Sequence, residues 1–336
     1  MKKTVLLIAV ICMLMVTATV FAGGQQEDGV KTIRAGHGQP IGTGLHQGFV
    51  YFKEALEANS NGKMVVEIFD SGQLGGDREL TEGVQLGNVT MTAVSAANLG
   101  TFAKEFYVLD TYFMFRDREH VYNVLDGAAG AMMLDGLTVK DMKGLGFWEN
   151  GFRHLTNSKR AVTETADMKG LKIRVPDNPV QIAAWNSVGA GPAPMAWGEL
   201  FTALQQKALD SQESTLESIQ TMKFYEVQPY LTLSGHKYSP YVILMGNAFY
   251  NELTAEEKGW VDAAILESID KQRVFAAANE KKAIDAIAAS GKTEIGELTD
   301  DAKMEFRGKM SSIYEMVEEK SGKEMFDLFV SEVDKY

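Results

Sequence analysis

The sequence predicts an α/β protein of two domains, and three observations carry that prediction. Short apolar runs alternate with helical patterns from Thr32 onward, the alternation restarts in the second half, and one capped helical pattern near the C-terminus is longer than a single domain needs. Alternating strand and helix is the signature of a mainly parallel sheet.

Residues 32–35 read as a strand, 36–44 as a glycine-rich loop, and 45–59 as a helix with Leu45, Phe49, Phe52 and Leu56 on one face. A second strand at 64–69, a loop at 71–77, a helix at 78–86 and a third strand at 89–95 complete the first unit. After an irregular helical stretch, 145–148 is a strand candidate, 152–157 crosses a polar segment, and 172–175 is a clear short strand. Helices follow at 180–187, ending before Gly189, and at 199–207; 208–210 then lead into Ser211-Gln-Glu-Ser214. Residues 241–245 return as a strand through the middle of the fold, and this second α/β unit implies a second sheet. Thr254-Ala-Glu-Glu257 is a capping box. The helix it heads can run to Ala289, about 35 residues and roughly 50 Å, enough to bridge two domains. Two helices broken near Asn279 are the alternative.

The N-terminus carries Lys2 and Lys3, an apolar stretch over 5–20, and Val20-Phe21-Ala22 before two glycines. That is the pattern of a secretory signal cut after Ala22, against the alternative of an uncleaved anchor. Cys12, the single cysteine, lies in the middle of the apolar run, so no lipoprotein cysteine follows it and the mature chain has no thiol. Residues 25–30 read as a polar leader to a fold that begins near Lys31. Removing Lys2 and Lys3 takes the formal charge from −12 to −14. With no basic run, this argues against nucleic-acid binding and against an anionic membrane surface.

No His-Glu-x-x-His, Gly-x-Ser-x-Gly or Gly-x-x-x-x-Gly-Lys motif occurs. The five histidines are scattered without metal-ligand spacing, so neither metal nor cofactor is expected. A hydrolase with paired carboxylates stays open, because spatial pairing of acids is invisible in sequence. The loop Gly36-His-Gly-Gln-Pro-Ile-Gly-Thr-Gly44 lacks nucleotide-binding spacing; it is either a tight connection or a place where backbone amides approach a ligand. Arg174 is the most informative residue. It interrupts an apolar strand between Ile173 and Val175 and so points to the opposite face, toward a polar cleft or a buried acid. A guanidinium matches a carboxylate with two parallel hydrogen bonds, and burying it without an anion costs several kcal/mol. Either a ligand carboxylate or an internal Asp or Glu can be that anion.

At these residues the sequence resembles the solute-binding proteins of tripartite ATP-independent periplasmic (TRAP) transporters. The shared runs include Gly72-Gln-Leu-Gly-Gly-Asp-Arg-Glu79, Asn150-Gly-Phe-Arg-His-Leu-Thr156, Asp167-Met-Lys-Gly-Leu-Lys-Ile-Arg-Val-Pro176, Pro192-Ala-Pro-Met-Ala-Trp-Gly-Glu199, Leu209-Asp-Ser-Gln-Glu213 and Lys223-Phe-Tyr-Glu226. The resemblance covers nearly all of the mature chain. It implies a periplasmic-binding-protein-like fold: two α/β domains around a ligand cleft, strands crossing a hinge, and one long helix spanning both domains. We expect domain I to comprise 31–150 and 240–279, and domain II 151–239 and 280–336.

The resemblance also implies that Arg174 holds a ligand carboxylate, assisted by Arg153, and that Trp197 packs against the ligand. Where the family commonly has an asparagine after Gln-Glu, this chain has Ser214, which offers one hydroxyl donor in place of an amide. Relatives that bind sialic acid carry charged residues at the places of Ser95 and Asn98, which argues against that ligand here. The run Arg174-Val-Pro-Asp-Asn-Pro-Val-Gln181 is similar to relatives that bind uronates and related sugar acids. The expectation is therefore a five- or six-carbon sugar acid whose hydroxyls meet Gln39, Asp77, Glu149, Asn178 and Gln181, captured by hinge closure and delivered to the membrane permease subunits. An exported carbohydrate hydrolase and a sensory binding protein are the alternatives.

Overall fold

The computed structural model describes residues 29–336. Cys12 and the expected cleavage after Ala22 lie outside the described residues. Strand β1 (Lys31–Gly36), helix α1 (Gly44–Asn59), β2 (Met64–Phe69), α2 (Asp77–Gln85) and β3 (Met91–Ser95) make the first unit. A 3-10 stretch, Lys104–Asp110, and helices α3 (Arg118–Leu125) and α4 (Ala128–Gly136) lead into β4 (Met142–Asn157). The second unit is β5 (Lys172–Val175), α5 (Pro179–Ser187), β6 (Gly191–Pro194), α6 (Leu200–Gln205), β7 (Ser211–Thr215) and α7 (Leu216–Thr221), followed by β8 (Tyr230–Gly246). The chain ends with α8 (Asn247–Glu252), α9 (Ala255–Ser290), β9 (Glu294–Glu297), α10 (Asp300–Met310), α11 (Tyr314–Ser321) and α12 (Lys323–Lys335).

The strands run in the order β2-β1-β3-β8-β4-β7-β5-β6, with β9 beside β8. β1 is parallel to β2 and β3, and β5 is parallel to β6 and β7, whereas β8 and β4 join the two groups in antiparallel pairs. The separate second sheet expected from sequence is therefore corrected to one hydrogen-bonded sheet. The physical reason is the length of β4 and β8, 16 and 17 residues, which pair with each other through both halves. Glycines at 144, 146 and 151 and the polar pair Glu149-Asn150 break the apolar pattern of β4. Ser234-Gly-His-Lys237 does the same in β8.

The pairing of β4 and β8 shifts register between Glu149 and Gly151, opposite Pro240 and Ser239, so that Asn150 is the extra residue of a bulge. Gly151 has φ +120, a conformation that suits only glycine.

Packing explains how the long helix bridges the halves. Its Val261, Ala264, Ile265 and Ile269 enter one apolar cluster with Ile33, Phe49, Phe52 and Trp148. Its Ala283 and Ile287 enter another with Leu204, Ile219 and Phe224. At its start the Thr254 hydroxyl accepts from the Glu257 amide at 3.2 Å, and the Glu257 carboxylate accepts from the Thr254 amide at 2.8 Å. Gly291 at φ +63 ends it. One continuous 36-residue helix, about 54 Å long, is what the capping box and spacing predict. Gly48 lets α1 lie against β4, since a Cβ there would meet the Trp148 indole at 2.8 Å. Helix α10 packs on α5, while α11 packs on Lys104–Asp110 and α12 on α3 and α4. No described helix is long and apolar enough to cross a membrane.

Candidate functional site

In a sheet of this kind the carboxyl ends of the parallel strands open into a crevice, and loops there carry the ligand-facing groups. The carboxyl ends of β1, β3, β5 and β7 converge on one pocket between the two units. Its walls come from Gly38, Gln39 and Leu45 after β1, Asp77 at the head of α2, and Ser95, Ala97 and Asn98 at the end of β3. The opposite walls come from Arg174 and Pro176 at the end of β5, Trp197 after β6, and Ser214 and Ser218 around the end of β7, with Asn150, Arg153 and Tyr241 from the crossing strands. The enclosed space is narrow, about 50 Å³. It opens, past Asp77, Arg174 and Trp197, into a wider outer cleft bounded by residues 71–79 and 194–198.

The two arginines differ in their partners. Arg153 is buried and bidentate on Glu213: its Nη2 donates to Glu213 Oε1 at 2.8 Å and to the Glu213 carbonyl at 2.7 Å, and its Nε donates to Oε2. Although burial opposes ionisation, Arg153 and a His236 hydrogen bond hold the Glu213 carboxyl far below the usual carboxylate range. Arg174 is equally buried, at 6% exposure, but both its bonds go to a neutral acceptor. Its Nε and Nη2 donate to the Met195 carbonyl at 2.9 and 2.7 Å, and its guanidinium lies 5.7 Å from the centre of the Trp197 ring. Among the described residues Arg174 enters no ion pair. Burial pushes its pKa down to about 10, against the attraction of Glu213 and Asp77, so it remains a cation at neutral pH. The internal salt bridge that sequence alone left open belongs to Arg153, not to Arg174.

Across the pocket, Asp77 Oδ2 accepts from the Ser95 amide at 3.2 Å and from Asn98 Nδ2 at 2.7 Å. Enclosure of the carboxyl raises its pKa, with those two hydrogen bonds and the Arg174 charge acting the other way. Ser95 and Asn98 thus shape the pocket by fixing Asp77. Gln39 Oε1 and Trp197 Nε1 are buried without partners among the described residues. Each is a group that a ligand hydroxyl can satisfy.

Eight of the expected residues, Arg174, Arg153, Ser214, Trp197, Gln39, Asp77, Ser95 and Asn98, meet in this pocket. Three do not. Asn178 Oδ1 caps α5 by accepting from the Val180 and Gln181 amides at 2.9 and 3.2 Å, and its Nδ2 donates to the Ala97 carbonyl and Asp110. Gln181 Nε2 donates to Asp110 at 2.9 Å, where Lys237 also bonds at 2.8 Å. Glu149 is buried under Arg118, at 2.6 Å, and the Tyr122 hydroxyl. Asn178 and Glu149 are taken up by a cap and by ionic contacts, and Gln181 Nε2 by Asp110, which leaves Gln181 Oε1 buried without a partner among the described residues. Sequence reasoning missed Asn150, Ser218 and Tyr241. Only Asn150 left a signal, in the Glu-Asn-Gly run that breaks β4.

With this geometry established, comparison with known proteins is decisive. Residues 35–321 match the model of the bacterial extracellular solute-binding proteins, family 7. The chain belongs to this family. Family 7 proteins are the solute-binding components of TRAP transporters, so this chain is a transport binding protein and not an enzyme, and the hydrolase alternative is not favoured. A solute-binding protein of Verminephrobacter eiseniae is 39% identical over 83% of both chains. Among solved structures, the sugar acid binding protein DctPAm of Advenella mimigardefordensis, in complex with galactonate, superposes with a TM-score of 0.88 at 35% identity, covering 91% of this chain and 99% of that one. A TRAP periplasmic solute-binding protein of Sulfurospirillum deleyianum with bound succinate superposes with a TM-score of 0.85 at 31% identity, over 91% and 99%. The two-domain periplasmic-binding-like architecture expected for the family 7 chain is thus shared with solved relatives.

Proposed function

We propose that this family 7 protein is the extracytoplasmic subunit of a TRAP transporter that captures a sugar acid, such as an aldonate or a uronate, and delivers it to the membrane permease. The observation that carries the reading is Arg174, a buried guanidinium on the pocket wall with no acid of its own. A ligand carboxylate completes it, with Ser214 and the Asn150 amide close by as neutral donors. Arg153, neutralised by Glu213, lines the same wall. Hydroxyls then meet Asp77, Gln39 and Trp197 Nε1, which is the donor and acceptor pattern of a polyol. The galactonate-bound relative agrees with this chemistry.

Capture proceeds by closure of the lobe that carries β1, β2 and β3 on the lobe that carries β5, β6 and β7. The register shift of β4 against β8 at Glu149/Gly151, opposite Pro240/Ser239, lies in the strands that join the two groups. Closure excludes water and strengthens the contact between Arg174 and the carboxylate. It also gives the permease two shapes to distinguish. Export depends on the leader and its removal after Ala22. A thermal-shift screen against organic acids tests the reading. Galactonate, glucuronate or galacturonate should raise the melting temperature, whereas neutral sugars should not. A chain stabilised by no carboxylate would refute it.

A further inference from the structure

The pocket holds charge in a particular ratio. Arg153 is matched by Glu213, which leaves one unmatched cation, Arg174, and one carboxylate, Asp77. Asp77 Oδ2 takes both hydrogen bonds that its neighbours offer, from the Ser95 amide and Asn98 Nδ2. Its other oxygen, Oδ1, has no donor among the described residues and is the pocket atom nearest to a Cβ built on Gly38, at 3.8 Å. A bound solute therefore has to offer an anion at one end and a hydrogen-bond donor at the other. Among the described residues no further Lys or Arg lines the pocket. Arg78 lines only the outer cleft, where it is exposed and pairs with Glu82 at 3.0 Å.

We propose that Asp77 makes this pocket selective for hydroxylated monocarboxylates and against dicarboxylates. The proposal rests on the carboxylate-binding reading above and names the class of acid within it. A terminal hydroxyl donates its proton to Asp77 Oδ1. A second carboxylate at the same place brings only acceptors against an acceptor, and two like charges with no cation between them. Specificity here comes from the repulsive element as much as from the clamp at Arg174. The same geometry gives Asp77→Asn a defined effect. The asparagine oxygen keeps the bonds from the Ser95 amide and Asn98, so the NH2 group replaces Oδ1 and turns the pocket-facing acceptor into a donor.

The test is calorimetry with matched pairs that differ only in one terminal group: galactonate with galactarate, and D-erythronate with meso-tartrate. The wild-type protein is expected to bind the monocarboxylate of a pair at least about tenfold more tightly. In Asp77→Asn that preference should shrink by about tenfold or more, with the dicarboxylate gaining and the monocarboxylate losing affinity. A melting curve of the variant confirms that it is folded, and the wild-type ratio stands without it. Wild-type affinity for galactarate or tartrate equal to that for the monocarboxylate would overturn the role of Asp77 while leaving carboxylate capture intact. Absence of binding to every acid, succinate included, would overturn both.

Discussion

Two arginines of the same charge and burial line one wall of the pocket, and their partners give them different consequences on mutation. Removing Arg153 strands the Glu213 carboxylate in the interior, where an unpaired ion costs about 3–5 kcal/mol. Arg153→Ala should therefore lower the denaturant midpoint strongly, whereas Arg174→Ala, which frees only the Met195 carbonyl, should leave it nearly unchanged. Comparable destabilisation by both would contradict this division. Buried histidines should make the molecule sensitive to mild acid. Burial lowers His37 to about 4 and His154 to about 3, with the charge of His46 adding to the first and that of His236 to the second. A histidine whose folded pKa lies below its unfolded value of about 6.5 leaves stability intact above that pH. Stability then drains as pH falls from about 6.5 toward the folded value, by roughly 2 kcal/mol per histidine at pH 5. Urea unfolding between pH 7 and pH 4.5 should show this slope, and His37→Phe should reduce it.

The elements show why some of the site was readable and some was not. Arg174 was legible because a charge inside the apolar strand 172–175 has few uses, and the strand alternates faces. The long helix was legible from the Thr254–Glu257 capping box and the absence of a breaker before Gly291. Asn178 caps α5 outside the pocket lining, and a polar residue before Pro179 looks the same in sequence whether it meets a ligand or caps a helix. The Asn-Pro pair is in fact a helix-start signature, and the structure uses it so. The crossing strands were legible only in pieces, at 145–148, 152–157 and 241–245, because polar residues and glycines interrupt the strand pattern: β4 has glycine at φ +120 and an extra residue, Asn150, in its middle. Gly151→Ala forces an alanine into that conformation and should cost about 1–3 kcal/mol in a chemical melt. An unchanged melt would show that the bulge can relax.

At the scale of the whole molecule, the sheet and α9 keep the lobes connected while the pocket stays between them. The net charge of −12 repels an anion at long range, but at about 0.15 M salt that field decays over about 8 Å, so the local cation governs capture. Small-angle scattering should show the radius of gyration falling when a sugar acid is added to the wild type, and not when it is added to Arg174→Ala. The most direct measurement is calorimetric titration of a binding sugar acid into wild type, Arg174→Ala and Arg174→Lys, each with a confirmed melt. Loss of a charge partner inside a closed cleft predicts at least about a hundredfold weaker binding to the alanine variant, and only partial recovery with lysine, which keeps the charge without the planar fork. Retention of wild-type affinity by a folded Arg174→Ala protein would contradict the account.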